Sequence, residues 1–114
     1  MIFEDRERGE EERFRLAAQT RFRVVVHRDR LMGLWAAERM GLSPAQAEDY
    51  ADKVVIADLE KPGDEDLLHK VSCDLAAAGV DCADTELLRV LTAKEAEARL
   101  AFTDASPGAT RSGA

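Results

Sequence analysis

Little in this 114-residue sequence invites a sheet, a membrane or a cofactor. Aromatic residues are only 5% of the chain, and no stretch alternates apolar and polar side chains for long enough to build a half-buried strand. No apolar run approaches the length needed to span a bilayer, and the first residues lack the apolar core of a secretory signal, so a cytoplasmic location is expected. Cys73 and Cys82 are the only cysteines, and neither has a second cysteine or a histidine at metal-ligand spacing. They read as ordinary thiols of a reducing compartment. The seven glycines do not gather into a phosphate-binding loop.

What is present is helix-forming. Alanine, leucine, glutamate and arginine dominate, and all four favour helices. The length suits one domain with a single hydrophobic core. The net charge of −7 is unevenly placed. Residues 1–30 carry eight arginines against seven acids, or +1, which leaves −8 on residues 31–114. An acidic body is repelled by phosphate backbones and anionic lipid, which disfavours nucleic acid and membrane as main partners.

Periodicity predicts an all-α, four-helix bundle over residues 20–102, preceded by a flexible segment at 1–19 and followed by a disordered tail at 103–114. The first helix is expected from about Thr20 to Met40, with Phe22, Val26, Gly33, Ala37 and Met40 along one stripe and Leu31, Leu34 and Trp35 widening it. The β-branched run Val24-Val25-Val26 would by itself favour a strand, but the longer helical pattern outweighs it. Gly33 in mid-helix suggests close approach of a second helix. The next helix has a legible start: Ser43 as cap, Pro44 in the first turn, and Gln46 completing a capping box. Lys61-Pro62-Gly63 ends it. A third helix opens on Asp64-Glu65-Asp66, acids favoured by the helix dipole, and stops at Gly79. A fourth runs from about Asp84 to Ala101. The core is expected to contain Phe22, Leu31, Gly33, Leu34, Trp35, Tyr50, Val54, Leu68, Val71 and Leu75. Residues 1–19 hold too little apolar surface to offset the entropy of ordering them alone, the profile of a segment that folds on binding.

No catalytic constellation emerges. His27 and His69 lie on different predicted helices. His69 and Cys73 are one turn apart, but no third group orients them. The acids at 64–66 lack the ligand spacing of a calcium loop. The arginines Arg21, Arg23, Arg28 and Arg30 could receive an anion such as an adenine nucleotide, although ion pairing to the acidic later helices is the plainer role. No enzyme activity is expected. Read from composition alone, a helical adaptor for another protein and a weak nucleotide sensor both stand as alternatives.

Several blocks resemble the zeta subunit family of alphaproteobacterial F-type ATP synthases, small inhibitors of those enzymes. They are Asp5-Arg6-Glu7-Arg8; Phe22-Arg23-Val24 leading to Leu31-Met32-Gly33-Leu34-Trp35-Ala36-Ala37-Glu38; Tyr50-Ala51; Gly63-Asp64-Glu65-Asp66; and Ala77-Ala78-Gly79-Val80-Asp81. The resemblance covers about residues 3–92. It implies a four-helix bundle whose N-terminal segment, about Met1 to Gln19, becomes helical between α and β subunits of the catalytic head and blocks ATP hydrolysis, with γ a further candidate contact. It implies that Phe3, Asp5, Arg6, Glu7, Arg8, Glu10, Arg13 and Phe14 meet the partner, with Glu10 standing where the family's pattern is apolar. A monomer when free, at the cytoplasmic side of the inner membrane through the synthase, is the matching expectation.

Overall fold

The computed structural model describes residues 2–103, with side chains described from residue 9 to residue 102. Four helices follow in order: α1 (Ile2–Arg39), α2 (Pro44–Glu60), α3 (Asp64–Ala77) and α4 (Asp84–Thr103). The described residues form no strand, and Val24-Val25-Val26 lies well inside α1. The tail expected at 103–114 lies outside the described residues except for Thr103, which ends α4.

The ends of the helices follow from local chemistry. Ser43 Oγ accepts the backbone N–H of Gln46 at 3.2 Å, and Gln46 Oε1 accepts the N–H of Ser43 at 3.0 Å, so two otherwise unpaired donors are satisfied reciprocally. The C-termini of α1 and α3 close in the same way. Gly41 and Gly79 take positive φ (75° and 79°). Leu42 N–H then reaches back to the Ala37 carbonyl and Val80 N–H to that of Leu75, at 3.0 and 2.8 Å. This six-to-one closure needs a left-handed residue, which glycine supplies without steric cost.

Helix α1 begins at Ile2 rather than Thr20, so the segment expected to precede the bundle is the first half of one helix 38 residues long. It packs most extensively against α2 and α4, and α3 makes smaller contacts with all three. Within α1 the buried residues fall on two rows four apart: Val24, Arg28, Met32 and Ala36, and beside them Asp29, Gly33 and Ala37. The core joins Met32 and Ala36 to Val54 of α2, Leu67, Val71 and Leu75 of α3, and Leu87 and Leu91 of α4.

Gly33 does mark a close helix contact. A Cβ built there would stand 2.7 Å from Ala51 Cα and 3.3 Å from Val54 Cγ2, so α1 and α2 meet backbone to backbone. Trp35, Tyr50 and Leu68 pack against the core while staying half-exposed, and Leu31 and Leu34 are half-buried. Phe22 departs from expectation: it is 57% exposed. At 100° per residue it points within about 20° of Asp29 and Gly33, so its exposure comes from its place along α1, ahead of Val24, where burial of the helix begins. Leu88 and Leu100, apolar positions of α4, are also exposed.

Candidate functional site

Two features of α1 stand out, one ahead of its buried stretch and one inside it. The first is the arm, the part of α1 that precedes the bundle. From Gly9 to Gln19 every residue except Ala18 is exposed. Its helix is supported from within: Arg15 Nη2 pairs with Glu12 one turn back, and acids at 10–12 precede the arginines at 13 and 15 in the order that favours helix pairs. Phe14 is 73% exposed and Leu16 and Phe22 are also solvent-facing.

The direction of Phe14 is informative. Phe14 and Met32 are 18 residues apart, about five full turns, so they point the same way, as do Ala18 and Ala36. Met32 and Ala36 are fully buried between the other helices. The exposed face of the arm is therefore the continuation of the face that α1 buries in the bundle. Burial of α1 begins only at Val24, and among the described residues from Gly9 to Arg23 none is buried. The last described side chain of α4, Phe102, reaches His27 in an edge-to-face contact at 5.5 Å, and Arg99 and Glu95 line a groove with Thr20, Arg21, Val24 and Val25.

Of the residues expected to meet a partner, Glu10, Arg13 and Phe14 are exposed on this arm. Phe3, Asp5, Arg6, Glu7 and Arg8 sit on the first turns of α1, and their side chains lie outside the described residues. Positions 3, 7, 10 and 14 share the Phe14 face at helical spacing.

The second feature is a buried ionic centre that hydrophobic periodicity passes over. Arg28 is 3% exposed, Asp29 1% and Asp58 8%. Arg28 donates through Nε and Nη2 to Asp29 Oδ1 (3.1 and 3.0 Å) and through Nη1 to Glu95 Oε1 on α4 (3.2 Å). Its Nη2 also lies 3.1 Å from Asp64 at the start of α3 and 3.6 Å from Asp58 near the end of α2. One guanidinium thus ties all four helices. Asp58 further accepts the N–H of Gly63 at 3.3 Å, fixing the α2–α3 corner. Burial, and then the neighbouring Asp58 carboxyl, push the Asp29 carboxyl up to about 8 against the pull of Arg28. The signal for this centre was present: Arg28 interrupts the row Val24, Met32, Ala36, and Asp58 ends the row Ala51, Val54. A charge on an otherwise buried row is a buried ion pair.

The arginine cluster is divided between roles. Arg28 is enclosed by carboxylates, Arg30 pairs with Glu48 and with Asp52 at 2.9 Å, and Arg21 and Arg23 are exposed. The first two fulfil the expected pairing to later helices. Elsewhere, Tyr50 donates to Asp74 at 2.8 Å, and burial beside that carboxylate raises the phenol. Arg39 lies over the Trp35 ring at 5.0 Å, and its guanidinium pairs with Glu86 of α4. Cys73 Sγ is 3.6 Å from His69 Nε2 on an open surface. Among the described residues no group of three or more His, Cys, Asp or Glu is placed to hold a metal ion.

A protein-family model described as "ATPase inhibitor subunit zeta" matches residues 1–101 of the chain. A search of curated proteins returns no match.

Proposed function

The chain belongs to the ATPase inhibitor subunit zeta family, and on that premise we propose that it restrains an F-type ATP synthase by placing its N-terminal arm between α and β subunits of the catalytic head, where the arm blocks ATP hydrolysis. The observation that carries this reading is the exposed Phe14 on the arm, in line with the buried Met32. A helix whose buried face runs past its own neighbours offers that face to another protein, and an amphipathic helix laid into an apolar groove is a recurring mode of recognition. Local ion pairs keep the arm close to helical, which lowers the ordering entropy lost on binding.

In this reading the inhibitory element is Met1 to Gln19, with Phe3, Asp5, Arg6, Glu7, Arg8, Glu10, Arg13 and Phe14 as contacts and γ as a further neighbour. The bundle orients the arm, and the protein acts by binding rather than by catalysis. No described helix is long and apolar enough to cross a membrane. A place at the cytoplasmic side of the inner membrane, held there through the synthase, fits this role.

Purified synthase lacking the protein tests the proposal in both directions of catalysis. Added protein is expected to slow ATP hydrolysis far more than synthesis, and a form lacking residues 1–19 is expected to lose the effect while keeping its thermal transition. Equal slowing in both directions, or full inhibition by the shortened form, contradicts the reading.

A further inference from the structure

We propose that Asp29 and Asp58 hold one proton between them, and that this proton latches α1 to the α2–α3 corner so that alkaline conditions loosen the seat of the arm-bearing helix. The geometry points to such a proton. Asp29 and Asp58 are both buried and converge on one guanidinium nitrogen, Arg28 Nη2, at 3.0 and 3.6 Å, so two enclosed carboxylates share a single cation.

Charge balance points the same way. Asp29 faces Arg28 on its own helix and Asp58 on α2; Arg28 in turn faces Asp64 of α3 and Glu95 of α4, and Glu95 is shared with Arg99. Asp64 and Glu95 reach solvent, which leaves a single enclosed guanidinium with two enclosed carboxylates. Like charges sharing a buried site drive one of them to keep its proton. The proton resides on Asp29, the more deeply buried of the two; Asp58 accepts the Gly63 N–H at 3.3 Å.

Ionisation of Asp29 sets two buried carboxylates against each other across the α1–α2 seam, at the point where Arg28 also reaches α3. The native chain keeps a proton up to about pH 8 that the unfolded chain has released above about pH 4. Stability from this pair is therefore complete at acidic pH and falls as pH rises, by up to about tenfold in the folding equilibrium per pH unit, until native Asp29 ionises as well. Above that point the decline stops, and the native bundle carries the repelling pair.

The full chain is tested by a carbon-detected NMR titration of the Asp29 carboxyl, together with denaturant unfolding between pH 5.5 and 9. Expected are an Asp29 midpoint several units above an ordinary aspartate and a folding equilibrium that falls with pH and levels near pH 8. Asp29→Asn keeps the donor to Asp58 without a titratable proton and is expected to abolish that slope. An Asp29 carboxyl that titrates near pH 4, or a slope unchanged in Asp29→Asn, overturns the latch; the titration decides even if the variant folds poorly. The consequence for regulation rests on the inhibitory role proposed above. Inhibition by the parent is expected to weaken above pH 8 relative to Asp29→Asn on the same synthase, a ratio that cancels the enzyme's own pH response. A parent that inhibits at no pH defeats the inhibitor reading and leaves the latch to the titration. A ratio that stays constant while Asp29 titrates near 8 shows that the latch does not reach the arm and overturns its regulatory part.

Discussion

The two halves of α1 share one backbone ladder and differ in almost everything else. From Val24 to Ala37 the helix buries a residue at nearly every turn. It meets α2 so closely at Gly33 that a single added carbon has no room. From Gly9 to Gln19 it buries none and is held by neighbouring charges on its own surface. Local propensity and ion pairs of a few tenths of a kcal/mol can sustain a helix only marginally, whereas tertiary burial fixes it. The contrast shows how one continuous element can be rigid where it anchors and adaptable where it meets a partner, with the boundary at Val24, where burial begins.

The sharpest way to strain this contrast is to remove the tie that holds the anchored half. Arg28→Ala leaves Asp29 and Asp58 buried without their cation and is expected to cost about 3–5 kcal/mol in denaturant unfolding, as for other broken buried pairs. Arg15→Ala on the arm is expected to leave the unfolding midpoint in place, because both partners of its ion pair with Glu12 are exposed and screened. If both variants unfold at the same denaturant concentration, the ionic centre does not anchor α1.

A smaller effect is expected at the α1–α2 contact. Gly33→Leu must displace Ala51 backbone and is expected to destabilise by about 1–3 kcal/mol, read as a lower thermal midpoint. Gly9→Leu, with open space around the arm glycine, is expected to raise arm helicity by circular dichroism and leave that midpoint in place. A stable Gly33→Leu would mean that the two helices can separate at that point without loss.

The least change in stability is expected from Phe14→Ser, within about 0.5 kcal/mol for an exposed side chain. The same variant is expected to weaken inhibition of ATP hydrolysis by tenfold or more if the Phe14 ring is fully buried in the partner, at about 1.5–3 kcal/mol for such burial. Phe22→Ser, displaced from that face, is expected to weaken it less. Reversal of the order would place the contact surface on the Phe22 side of α1.

The helix boundaries at Ser43, Gly41, Lys61, Asp64 and Gly79 were legible because each depends on the chemistry of adjacent residues: a side-chain cap, a left-handed glycine, acids at a dipole. Gly33 was legible for a related reason, since a glycine inside a good helix implies a neighbour that excludes a side chain. Sequence also fixed the all-helical class and the family. The start of α1 was harder to read because the arm has too few apolar residues to register as an amphipathic helix, and Phe22 is exposed although its helical angle matches Gly33, because it precedes Val24, where burial of α1 begins. The buried Arg28–Asp29–Asp58 centre escaped because periodicity counts charges as solvent-facing. Only tertiary structure decides otherwise: Asp58, Asp64 and Glu95 come from three other helices, and the desolvation that keeps a proton on Asp29 exists only once all four are packed together.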